Sequence, residues 1–144
     1  MRALEAAIVR RGGIARTGAI LAGGQDWEWL RIAAAYGKRI IHVRKGWWAT
    51  CDTPLPVIEA RMAGGRLACI SALDLFDGRP ASGALHIEVE RNSSRRTSLL
   101  PPERRIIVHR PARRSAGGDA SVTREAAVAQ AAKCRGLSGE HGER

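Results

Sequence analysis

Residues 40–50 read IIHVRKGWWAT. Two cations, Arg44 and Lys45, stand beside a glycine and two tryptophans, Trp47 and Trp48. Cations held together by a turn suit phosphate oxygens, and an indole beside them can stack on a guanidinium or lie against a sugar. That is the chemistry of binding rather than of bond making. A second set is His86 with Glu88 and Glu90 in ALHIEVE, together with His109 in RRIIVHR. As cross-strand neighbours they would suggest a metal site. The alternation in ALHIEVE, however, puts Leu85, Ile87 and Val89 on one face and the polar residues on the other, as an ordinary solvent-facing strand would. Cys51, Cys69 and Cys134 are odd in number and widely spaced, and no C-x-x-C occurs. Neither a disulfide framework nor a zinc site is expected, and Cys69 reads as a small buried apolar residue. GGRLACIS lacks the Lys-Ser/Thr pair of a phosphate loop, Ser71 has no patterned histidine partner, and no D…E-x-K set is complete. The expectation is no catalytic residue, no metal, no cofactor and no enzyme.

The 144 residues can bury one ordinary core or two small ones, and 44% hydrophobic content suits a globular chain. Net charge is +10 and the sequence pI is near 11.1. That balance favours a polyanionic partner. Residues 1–53 hold nine Lys/Arg against four Asp/Glu, residues 54–110 nine against six, and residues 111–144 six against four. The first third is the most basic. There is no apolar leader and no run of eighteen apolar residues, so a cytoplasmic protein without a membrane partner is expected.

Three short helices separated by glycine pairs must carry the opening stretch. MRALEAAIV aligns Leu4, Ala7 and Ile8. TGAILA starts with Thr17 as a cap and turns Ile20 and Leu21 inward. The third helix starts at Asp26, stops at Gly37 and buries Leu30, Ala33 and Ala34. RIIHV and WWAT then form a hairpin around Gly46. In a two-residue turn Arg44 faces Trp47 and Val43 faces Trp48, which puts Trp48 inward and Trp47 outward, the favoured reading; in a three-residue loop the register slips by one and the two exchange roles. The order suits a winged helix-turn-helix, whose third helix enters the major groove while the hairpin touches phosphate. Residues 1–53 are read as a unit that folds alone.

Beyond it, Thr53 and Pro54 open a helix with Val57, Ile58 and Met62 inside, and RLACISALDLFDG makes another with Leu67, Ile70, Leu73 and Phe76 inside. ALHIEVE and RRIIVHR are expected to pair as a long-looped hairpin across the basic loop 91–103. Residues 111–119 read as linker, 123–134 as an Ala-rich helix, and the last ten as disordered. The fold class is α+β: a winged helix-turn-helix in 1–53, a small α/β region with a β-hairpin in 54–110, and a linker, short helix and tail in 111–144.

The blocks RRGGIARTGAILAGG, RIIHVRKGWWAT, ARMAGGRLACISALDLFDG and LHIEVERNSSRRTSLLPPERRIIVHR resemble, in order, the actinobacterial AbiEi-type antitoxin-domain proteins of type IV toxin–antitoxin systems. The resemblance spans roughly residues 3–134. It implies a DNA-binding winged helix followed by a small α/β region, which in many relatives leads into a nuclease-like domain related to very-short-patch-repair endonucleases. That domain is expected to be missing here. Relatives carry several arginines on the third helix, whereas this one has only Arg31, with Glu28 beside it.

The leading expectation is a regulator that binds double-stranded DNA, and two copies on an inverted repeat would repress its own promoter. Arg31 and Trp27 on the third helix would meet base edges. Arg16, Thr17, Lys38, Arg39, Arg44 and Lys45 would meet phosphate, with Trp47 as an outward wedge. The alternatives are a module in residues 54–134 that binds and blocks a toxin, and an orphaned targeting part of a nuclease-like protein.

Overall fold

Leu4, Ala7 and Ile8 recur at helical spacing, and α1 (Arg2–Val9) buries all three. The computed structural model describes residues 2–81, 83–90 and 99–134, and their fold is α+β. After α1 comes a strand that the sequence reading missed, β1 (Ile14–Arg16), then α2 (Thr17–Ala22) and α3 (Trp27–Tyr36). Asp26 caps α3 by accepting the Glu28 N–H at 2.9 Å. The hairpin follows as β2 (Ile40–Arg44) and β3 (Trp47–Thr50). The first sheet is antiparallel in the order β1-β3-β2.

The hairpin register corrects the expectation in part. Arg44 does face Trp47 across a Lys45-Gly46 turn, and Gly46 takes the positive φ of 84° that this turn needs. Trp48, however, faces His42 rather than Val43, because the ladder is irregular between His42 and Arg44. Such a bulge breaks strict alternation. Trp47 and Trp48 still point to opposite faces of β3, and both faces are covered, so both are buried, Trp47 at 8% exposure and Trp48 at 5%, and an outward Trp47 is ruled out. Trp48 packs with Leu4, Ile8, Ile20 and Leu30, whereas Trp47 joins a different core with Val57, Leu67 and Ile87.

That second core belongs to α4 (Leu55–Met62), β4 (Arg66–Leu67), α5 (Cys69–Phe76), β5 (Leu85–Glu88), β6 (Ile106–His109) and α6 (Arg124–Lys133). Thr53 does not cap α4; Pro54 holds that position, and the Thr53 hydroxyl bonds to Gly13 O and to Thr50. Leu67 lies in a strand rather than in α5, and Phe76 is 39% exposed. β5 runs between β4 and β6, antiparallel to the first and parallel to the second. The expected β5–β6 hairpin is thus a parallel pair, joined through residues 89–105, a connection long enough for a crossover. Residues 91–98 of the basic loop 91–103, and the tail after 134, lie outside the described residues.

A central strand of this kind is covered on both faces. His86 and Glu88 are accordingly buried, at 2% and 4% exposure, and the solvent-facing reading of them is corrected. α6, capped by Thr123 through the Ala126 N–H, packs along α5 and places Ala127 in the core. The segment read as linker is bound in as well. Val122 N–H donates to Leu67 O, Ser115 N–H donates to Glu88, and Arg66 donates to the carbonyls of Ser115 and Gly118.

Candidate functional site

The cations expected to contact phosphate divide into free and engaged groups. Arg16 is exposed at the end of β1, and Lys45 is exposed at the hairpin tip. The Arg16 guanidinium carbon lies 4.8 Å from the centre of the Trp47 ring, and Arg61 covers the same indole at 3.6 Å. The expected cation–π partner of Trp47, Arg44, is instead tied to the end of α4, donating to Arg61 O at 3.3 Å and Met62 O at 3.0 Å. Arg39 is held by Glu5 at 2.7 Å and Asp52 at 2.8 Å, and these bonds stabilise its charged form. Lys38 is exposed, just before β2.

Arg16, Arg44, Lys45, Trp47 and Arg61 line one cavity of about 260 Å³, together with Gly64, Gly65, Glu88, Val89 and Glu90. Arg61, absent from the sequence reading, is a central member. Its Nη2 donates to Asp119 O at 3.1 Å, and among the described residues its buried Nε has no partner. Burial lowers its pKa to about 10, a guanidinium still charged at neutral pH but short of solvation. Four cations converging beside a turn favour an anion.

Thr17 has a different role from the one expected. Arg16 occupies the cap position of α2, and the Thr17 hydroxyl accepts the Trp48 Nε1–H at 2.7 Å. Replacing Thr17 with valine keeps the shape and leaves that indole N–H without a partner. The expected cost is roughly 1–3 kcal/mol, read as a lower urea midpoint at unchanged m-value.

On α3, Arg31 pairs with Glu28 at 3.2 Å in full solvent. Such exposed pairs hold weakly, on the order of 0–1 kcal/mol, so Arg31 is readily released. Trp27 stands edge-on to Trp48, its ring centre 6.1 Å away, and is only half covered. Trp29, Ile32 and Tyr36 form an exposed apolar row on the same helix.

Elsewhere the structure brings together four side chains to which the sequence reading gave no metal role. The ligand atoms of Cys69, His86, His109 and Cys134 all lie within 4.8 Å of one another. No helix among the described residues is long and apolar enough to cross a membrane. No known protein-family model matches the chain, and no curated protein sequence matches it.

Proposed function

We propose that the chain is a double-stranded-DNA-binding module of the winged helix-turn-helix kind, acting as a regulator of antitoxin type. The observation that carries this reading is the convergence of Arg16, Arg44, Lys45 and Arg61 beside the β2–β3 turn. The order α1-β1-α2-α3-β2-β3, with β3 between β1 and β2, supports it, since a winged helix uses a third helix and a following hairpin. The resemblance to AbiEi-type antitoxin domains contributes the regulatory part, autorepression at the chain's own promoter.

Binding is non-covalent in this reading. Arg16 and Lys45 meet phosphate oxygens, while Arg44 and Arg61 act from behind them, one fixing the hairpin to α4 and the other supporting Trp47. Arg31 gives up Glu28 to reach a base edge. Each phosphate contact adds about 0.9 to the slope of log affinity against log salt. Replacing Arg16 and Lys45 together with alanine is expected to weaken binding to specific and scrambled duplexes alike and to flatten the slope by roughly 1–2. Arg31→Ala is expected to lose on the order of 1–3 kcal/mol at the preferred site only. Titrations of the chain's upstream region at several salt concentrations separate these outcomes, and an unchanged slope in the double variant overturns the proposal.

One observation favours a second reading, a protein-interaction module. Trp29, Ile32 and Tyr36 leave α3 with an exposed apolar row, as a helix docking on a protein would have. This row lies within residues 1–53 rather than in 54–134, where the sequence suggested a partner surface. Retained DNA binding after Trp29→Ala and Tyr36→Ala would assign the row to a protein partner instead.

A further inference from the structure

Cys69 opens α5, His86 lies in β5, His109 ends β6 and Cys134 follows the last residue of α6. Four separate elements thus deliver two thiols and two imidazoles to one point. His86 Nδ1 and His109 Nε2 are 3.3 Å apart, and Cys134 Sγ is 3.7 Å from the first and 3.9 Å from the second. A tetrahedral ion with bonds of about 2.0–2.1 Å to nitrogen and about 2.3 Å to sulfur sets its ligands roughly 3.3–3.8 Å apart. We propose that Cys69, His86, His109 and Cys134 bind one zinc ion as a structural centre that fastens α6 to the sheet.

The surroundings are arranged for this. Cys69 has a φ of 54°, the one positive value among the described non-glycine residues, and its N–H donates to Gln130 Oε1 at 2.9 Å. A left-handed cysteine persists where its neighbours hold it, and here the held residue carries a ligand. His86 N–H donates to Ser71 Oγ at 2.9 Å, fixing β5 against α5. Glu88, the nearest carboxylate on the strand, is occupied by Arg66, Ser115 and Gln130. The donor set is therefore nitrogen and sulfur without oxygen, which suits zinc and not magnesium or calcium.

Charge balance agrees. Both thiols release their protons to solvent on binding, and two thiolates neutralise a divalent ion, leaving a neutral centre that burial tolerates. The half-buried members, His109 and Cys134, border a cleft of about 380 Å³ that gives an ion a way in. All four ligand positions are filled by protein, which marks a structural rather than a catalytic centre.

The test uses the full chain, without a histidine tag, from zinc-supplemented cells. Elemental mass spectrometry is expected to find one zinc per chain, and a chelator is expected to lower the Tm. Cobalt(II) in place of zinc should give the intense visible bands of a tetrahedral ion and thiolate-to-cobalt charge transfer. Cys134→Ser, just past the end of α6 and half-buried at the edge of the core, should weaken cobalt binding by more than the roughly 10–100-fold that loss of a residue behind the ligands causes. Cys51→Ser, at an exposed thiol, should leave it unchanged. The unaltered chain alone suffices to overturn the proposal: absence of zinc together with absence of cobalt bands does so, as does iron or copper in its place. An intact mass showing Cys69 and Cys134 joined as a disulfide with no metal does so too.

Discussion

Replacing Arg66 with methionine is expected to abolish cooperative folding. The Arg66 guanidinium is 3% exposed and makes an ion pair with Glu88 at 2.9 Å. It also donates to Gly118 O at 2.7 Å and Ser115 O at 2.6 Å. Burial raises the Glu88 pKa, but bonds from Ser115 and Arg66 more than offset this and hold it below the usual carboxylate range. Methionine fills the volume and removes the charge. A carboxylate left buried without its cation costs about 3–5 kcal/mol, and each carbonyl left without a donor adds roughly 1–3 kcal/mol. Domains of this size have about 5–15 kcal/mol in all. The circular dichroism melt of the variant should lose its sigmoid. Adding Glu88→Leu should restore part of it, because removing both charges costs far less than removing one. A single variant that melts within a few degrees of the parent would mean that the pair is not buried as described.

Residues 1–53 expressed alone are expected not to unfold cooperatively. Ile14, Val43, Trp47 and Ala49 lie in the same core as Val57, Ala60, Leu67 and Leu85, so the buried interior crosses the boundary at residue 53. Removing the rest uncovers one face of the first sheet and takes Arg61 from the Trp47 ring. What remains is the small core around Leu4, Ile8, Ile20, Leu30 and Trp48. A fragment of that length is marginal even with its full core. The expected observation is a gradual thermal trace with tryptophan emission shifted to the red. A sharp transition in the fragment would show that the smaller core suffices.

What the sequence disclosed was local. Asp26 acts as a cap because a cap needs only the first turn of its own helix. The Lys45-Gly46 turn was legible for the same reason. The bulge before Arg44 was not, and neither was the second core that covers Trp47 on the face opposite Trp48. β1 is three residues long, and its pairing with Trp47–Ala49 is distant in sequence. In β5, the alternation of His86 and Glu88 with leucine and isoleucine imitates a half-wet strand. The polar face is covered by a helix and satisfied by Arg66, Ser115 and Gln130, which alternation cannot reveal. The four sulfur and nitrogen ligands are spaced by 17, 23 and 25 positions, so no finger-like spacing announces them.

The network that joins Arg66 and Cys69 to α6 also has a consequence for how the chain acquires its structure. Its hydrogen bonds link positions separated by 49, 52 and 61 residues. Contacts of such high order slow folding, because loop-closure entropy is lost before they form. A nascent chain presents Arg66 and the apolar face of α5 well before Ser115 and Gln130 have been synthesised. During that interval the guanidinium lacks its acceptors and the face remains open to chaperones or to another nascent chain. The α4–β6 region is therefore expected to reach its native packing only once α6, made after every other described element, is complete.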